Sequence, residues 1–147
     1  MKLLTIIAFQ FAFAGVFAKA IHAPRVDQDD TLNSCDGVNL GWGLRLHAMC
    51  FVLQKDGEWI ESDTSIDLND CIANIGGTMV GAAEGHFGKS CNNIKVQRER
   101  NDSPITLNAT CKGFRGKVDA SIKLDFIKNI NGRISCFHIG GESSLPM

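Results

Sequence analysis

Residues 65–79 read SIDLNDCIANIGGTM, and residues 121–134 return the same theme as SIKLDFIKNINGRI. With one gap opposite Cys71, the two stretches coincide at Ser, Ile, Leu, Ile, Asn, Ile and Gly. Ser65 and Ser121 lie 56 residues apart, and so do Cys35 and Cys91, so two independent landmarks share an offset. Cys50 and Cys111 lie 61 apart because RERNDSPI, residues 98–105, lengthens the second hairpin. The second copy loses those five residues again before Ser121. Insertions confined to loops between fixed strand landmarks mark a duplicated structural unit. A unit of ~50 residues buries too little surface to be stable alone, so the two copies must complete a shared core. The ordered domain is placed at 33–137, with repeat one at 33–88 and repeat two at 89–137.

Inside it the apolar period is two. In LRLHAMC, Leu44, Leu46, Ala48 and Cys50 share one face, while Arg45, His47 and Met49 share the other, which is a half-buried strand. In LNATC the inward set is Leu107, Ala109 and Cys111, and the outward set is Asn108 and Thr110. Asp56-Gly57 and Asn131-Gly132 are turn signals. The helical candidates are single turns at 68–73 and 124–128, with Asp67 and Asp70 or Asp125 placed as caps. The fold class is therefore all-β with short helical turns.

The start of the chain constrains where it works. Met1-Lys2 precedes sixteen uncharged residues, Leu3 to Ala18, and Ala18-Lys19-Ala20 has the small-x-small cleavage pattern. Residues 1–20 are expected to be a secretory signal peptide cut after Ala20, with Ala18 the second choice. The run is shorter than the ~20 residues of a bilayer-spanning helix, so no membrane partner is expected. Removing Lys2 and Lys19 moves the formal net charge from −1 to −3. A mildly acidic chain lacks the basic face that displaces counterions from nucleic acid, so no nucleic-acid partner is expected either. Arg98-Glu99-Arg100 reads as solvated loop charge. Residues 21–32, IHAPRVDQDDTL, and 138–147, HIGGESSLPM, read as a flexible arm and a flexible tail.

Six cysteines at 35, 50, 71, 91, 111 and 136 in a secreted chain imply a disulfide framework, with fifteen possible pairings. No CxxC unit exists, and His22, His47, His86 and His138 are scattered singly, so no metal or other cofactor is expected. There is no GxSxG or HExxH pattern and no serine–histidine or cysteine–histidine spacing that singles itself out. No catalytic residue is assigned, and the chain is not expected to be an enzyme.

The landmarks occur in a set order: Ser34-Cys35, LRLHAMC and SIDLNDCIANIGG, then Ser90-Cys91, LNATC and SIKLDFIKNING. That order, run twice in tandem, resembles the cyanovirin-N homology domain over essentially the whole ordered chain. The signal segment and flanking arms make the chain resemble a secreted fungal member. The resemblance implies an elongated, pseudo-symmetric β protein whose repeats exchange strands, so that each half mixes segments of both. It further implies a metal-free lectin for mannose-rich glycans with a shallow site near each end. The partners it implies are mannose-containing oligosaccharides or glycoproteins, met by a monomer or a domain-swapped dimer.

The same family pattern pairs the cysteines that open each repeat, Cys35 with Cys50 and Cys91 with Cys111. Under strand exchange the two left over, Cys71 and Cys136, form a third bond across the repeats. For sugar binding the resemblance implies one site from Asn74, His86, Lys89, Ser90, Lys112 and Arg115, and a second from Asn33, Ser34, Asn129 and Asn131. Departures from the pattern are Lys89 in place of an acid, Gly76 in place of an acidic turn residue, and the apolar Phe51-Val52-Leu53 after Cys50. Those departures support the alternative of a secreted effector or protein-interaction module that keeps the fold without the sugar. Asn74 and Asn129 are also residues that serve turns, since asparagine bonds its own backbone and tolerates left-handed geometry. Two sequons are present, Asn108-Ala109-Thr110 and Asn101-Asp102-Ser103, the latter followed by Pro104. Asn108, on an outward strand face, is the expected glycan carrier.

Overall fold

A computed structural model describes residues 31–100 and 103–143. The signal peptide, most of the amino-terminal arm, the Asn101 sequon position and residues 144–147 lie outside the described residues. Repeat one supplies β1 (Cys35–Leu40), β2 (Arg45–Leu53), β3 (Trp59–Asp67), β4 (Ile72–Ile75) and β5 (Thr78–Gly81). Repeat two supplies β6 (Cys91–Gln97), β7 (Thr106–Gly113), β8 (Gly116–Lys123), β9 (Lys128–Ile130) and β10 (Arg133–Cys136), followed by β11 (Ile139–Gly140) and β12 (Glu142–Ser143). Four 3₁₀ turns, at Leu32–Ser34, Trp42–Leu44, Leu68–Asp70 and Phe87–Lys89, complete the described secondary structure. The all-β expectation holds.

The duplication is visible in the registers. Antiparallel β1–β2 pairs Cys35 with Cys50, and β6–β7 pairs Cys91 with Cys111. Each first strand carries the same irregularity, between Asp36 and Asn39 and between Asn92 and Lys95, at a residue of positive φ (Gly37 +61°, Asn93 +53°). The alternation read from the sequence is borne out, with Leu46, Ala48, Cys50, Leu107, Ala109 and Cys111 all buried and His47 and Met49 exposed.

The strands β1–β2–β3 and β6–β7–β8 form separate sheets, and each is covered by the other repeat's short hairpin. Hairpin β4–β5 packs on β7 and β8, and hairpin β9–β10 packs on β2 and β3. The Ile134 amide donates to Thr64 Oγ1 across the second contact (3.1 Å). In this structure the exchanged hairpins belong to the two repeats of the same chain. Both hairpins turn through two residues of positive φ, Gly76-Gly77 and Asn131-Gly132, the geometry that a two-residue loop between twisted strands requires.

Three disulfides close the frame: Cys35–Cys50, Cys91–Cys111 and Cys71–Cys136. The first two staple neighbouring strands within one sheet. The third joins the 3₁₀ turn after β3 to the end of β10, which ties the exchanged hairpin to repeat one. Around it the core is built from Leu46, Ile66, Leu68, Ile72, Phe87, Leu107, Leu124, Ile127 and Ile134, all essentially inaccessible to solvent.

Four sequence expectations need correction. Residues 138–147 are not wholly a flexible tail, since β11 pairs with β10 and β12 adds a fourth strand to β1–β2–β3. Gly141 permits this, because a Cβ there would collide with the Ser65 carbonyl, and its amide donates to the Ile134 carbonyl (2.8 Å). An Arg45–Glu142 ion pair (3.2 Å) lies alongside. The arm ends earlier than residue 32, because Leu32 is buried and Thr31 bridges to Lys128. The segment 124–128 is a turn closed by the Ile127 amide on the Leu124 carbonyl (3.2 Å) rather than a helical turn, whereas Leu68–Asp70 is helical and capped by Asp67. Finally, Arg98 is half-buried and directed at the Leu32 and Cys35 carbonyls of the other repeat, at 3.4 and 3.5 Å.

Closing a 65-residue separation is worth about 4 kcal/mol in the chain-entropy account. Non-reducing peptide mapping should return the three bonds above. A Cys71→Ser/Cys136→Ser variant should lose up to about 4 kcal/mol in guanidinium unfolding. A loss no larger than that of a surface substitution would show that the exchanged hairpin holds without this bond.

Candidate functional site

The short hairpins end in asparagines that the fold uses in the same way. Asn74, at the end of β4, accepts from the Gly77 amide through Oδ1 (2.9 Å) and so closes the turn. Its Nδ2 donates to Ser90 Oγ (2.8 Å) and to the Lys112 carbonyl (3.0 Å), both in repeat two. Ser90 Oγ donates onward to the Phe87 carbonyl (3.3 Å), and the Lys112 amide donates to the Ser90 carbonyl (2.8 Å). Asn129 repeats the pattern. Its Oδ1 accepts from the Gly132 amide (2.9 Å) and its Nδ2 donates to Ser34 Oγ (3.0 Å), which donates to the Thr31 carbonyl (2.7 Å). Each asparagine thus stitches a hairpin of one repeat to the cysteine-opening segment of the other.

The first expected site is brought together by this stitch. Asn74, Ser90 and Lys112 are hydrogen-bonded neighbours. His86 lies beside them through a bridge between Ala73 and His86, in left-handed geometry (φ +49°), with its amide on the Asn69 carbonyl (2.7 Å). Lys89 ends the 3₁₀ turn that follows His86, and Arg115 sits in the β7–β8 turn three residues beyond Lys112. His86, Lys89, Lys112 and Arg115 are exposed, while Asn74 and Ser90 are half-buried and occupied with the scaffold. The outward-facing chemistry of this surface is therefore cationic and donor-rich, since Lys and Arg offer no acceptor.

One residue absent from the sequence expectation is placed here as well. Phe114 shares the β7–β8 turn with Arg115 and is 91% exposed. Its ring lies over Gly76, where a Cβ would collide with it, and Gly113 packs against the Gly76 carbonyl. Glycine stands here in place of the acidic turn residue, and its positive φ (+61°) suits the turn. The available signal was an aromatic flanked by Gly113 and Gly116 in a turn, where small or polar residues are the rule.

The second expected site is poorer in side chains that face out. Asn129 is buried and spent on the stitch, and Ser34 is half-buried. Asn33 and Asn131 remain exposed, the latter within its turn (φ +52°). Phe51 and Val52 are half-buried, and Leu53 is exposed opposite Trp59, so this end of β2–β3 presents apolar surface. Asn108 lies mid-strand in β7, with Nδ2 donating to Gln97 Oε1 (2.9 Å), and Thr110 Oγ1 donates to Asp119 (3.0 Å). Among the described residues no group of three or more His, Cys, Asp or Glu could hold a metal ion, and no helix is long and apolar enough to cross a membrane.

Two stapled sheets, each completed by a hairpin from the opposite repeat and each hairpin pinned by an Asn–Ser bond, define a tandem-repeat β-domain of the cyanovirin type. The chain belongs to the CVNH family, with residues 32–135 matching the CVNH domain. It is similar to the solved CVNH protein of Gibberella zeae, at 26% identity and a TM-score of 0.60, covering 74% of this chain and 97% of that one. It is similar to microvirin, solved with mannobiose, at 25% identity and a TM-score of 0.56, covering 70% and 94%. A MoCVNH3 variant solved with (N-GlcNAc)4 shares the fold at 19% identity and a TM-score of 0.58, covering 70% and 93%. No curated protein matches the chain.

The two stitches differ in burial, which sets their cost of removal. Asn129→Ala should destabilise by about 1–3 kcal/mol, because buried partners lose their bonds without gaining water, and Asn74→Ala should cost less. Urea unfolding of both variants checks the order; equal losses would contradict it.

Proposed function

We propose that the chain is a secreted, metal-independent lectin for mannose-containing glycans that binds through the first site. The observation that carries this is the Asn74–Ser90–Lys112 stitch. It draws together the segments that carry the exposed side chains of His86, Lys89, Lys112 and Arg115. A neutral glycan offers many hydroxyl acceptors, and fixed charged donors give the stronger hydrogen bonds to them. The microvirin–mannobiose complex, on a similar fold, supports a mannose-containing glycan as the ligand. Because the strand exchange closes within one chain, a monomer completes the site. Affinity at a single shallow, water-competed site is expected to be weak.

A second reading, an interaction module that keeps the fold without the sugar, is favoured by Leu53 and Trp59, which are 53% and 37% exposed at one hairpin end. A glycan array with the mature, disulfide-intact protein separates the two. Binding to mannose-containing glycans, unchanged by a chelator and weakened roughly tenfold or more by Lys112→Ala/Arg115→Ala, is the expected result for two charge-assisted contacts. A folded protein that retains no glycan would remove the lectin reading and favour the interaction module.

Secretion with a glycan on Asn108 belongs to the same proposal. Expression in a eukaryotic secretory host should give protein in the medium lacking residues 1–20. Its intact mass should fall on glycosidase treatment, and Asn108→Gln should abolish that shift.

A further inference from the structure

We propose that Phe114 is a stacking platform that holds one face of a pyranose ring, and that it selects the β-linked N-acetylglucosamine units of a glycan over its α-mannosyl tips. This rests on the lectin reading of the first site and names the sugar surface that site accepts. A phenylalanine that is 91% exposed gains nothing for the core, and its ring meets the backbone of Gly76 on the neighbouring hairpin. Gly113 and Gly116 bound its turn, and the turn residue Gly76 lies beneath the ring, leaving no space for a side chain of its own. Lys112 and Arg115 stand on either side of Gly113 and Phe114 in sequence. The result is an apolar plate edged by donors.

The face of an aromatic ring carries negative quadrupolar charge and attracts the weakly positive C–H bonds of an apolar surface. A β-linked, gluco-configured pyranose has its ring substituents equatorial, so both faces present axial C–H bonds. An α-linked mannosyl unit has an axial O1 on one face and an axial O2 on the other, so neither face lies flat on the ring. The polar groups point the same way. The charged side chains of the site, Lys89, Lys112 and Arg115, are donors only, and Gly76 supplies no acid to accept from mannose hydroxyls. An acetamido carbonyl is a stronger acceptor than a hydroxyl and suits such a donor set. In a mannose-containing N-glycan these requirements meet in the β-linked core.

The test titrates the disulfide-intact mature protein with the β-(1→4)-linked N-acetylglucosamine tetramer and with α-(1→2)-mannobiose, following amide shifts by NMR. The tetramer should bind more tightly than mannobiose. Phe114→Ala should weaken the tetramer by roughly tenfold, the upper range for an aromatic contact, while mannobiose changes by less than about twofold. Phe114→Trp should keep tetramer binding, and unchanged amide dispersion in both variants shows that the turn is intact. Mannobiose binding more tightly, or tetramer binding untouched by Phe114→Ala yet abolished by Lys112→Ala, would overturn the platform and leave the lectin standing. A folded wild-type protein that binds neither sugar would overturn both.

Discussion

The structure depends on a pair of crossed hydrogen bonds, Asn74 to Ser90 and Asn129 to Ser34. Each joins a hairpin of one repeat to the segment that opens the other. Without that crossing, β4–β5 and β9–β10 would be two-stranded hairpins with no sheet to cover, which are marginal in water. With it, the β1–β2–β3–β12 and β6–β7–β8 sheets each acquire a lid from the opposite repeat, and a single core runs through both. The Cys71–Cys136 bond adds a covalent tie to one half of this exchange, while the other half relies on packing and on Asn74.

The same asparagines explain why the candidate sites differ. An asparagine whose amide and carbonyl are committed to a turn and a serine positions the surface and offers little of itself to a ligand. Under the proposed lectin reading, recognition falls to side chains that the stitched segments hold outward. The first stitch is flanked by His86, Lys89, Lys112, Arg115 and Phe114, all exposed. The second is flanked by Asn33 and Asn131 and by the apolar end of β2–β3. The duplicated scaffold is symmetric, and the surfaces it carries are not.

Much of the fold was legible in the chain. The shared offset of Cys35/Cys91 and Ser65/Ser121, the period-two strands and the Asn-Gly turn report local geometry, and local geometry survives into the structure. The misjudged parts share a cause. Residues 138–143 look like a loose tail by composition, yet Gly141 lets the backbone reach Ser65 and Ile134, a contact that depends on where the rest of the chain lies. Arg98 looks like loop charge until the carbonyls of Leu32 and Cys35 are brought to it from more than 60 residues away. Phe114 is marked in the sequence only by its glycine-flanked turn, since its neighbour Gly76 lies on another hairpin.

By itself, the sequence determined two tandem copies of a β-unit and a six-cysteine framework, because periodicity, turn residues and cysteine placement act over a few residues. Family resemblance supplied the exchange and, with it, the pairing of the cysteines. Only the tertiary structure decided which polar groups are consumed by the scaffold and which face out. A side chain's partners are set by chain crossings between positions as distant as Ser34 and Asn129. Asn74 and Asn129, which the resemblance names as ligand contacts, join the two repeats. The surface beside the first of them carries the cations and the exposed ring.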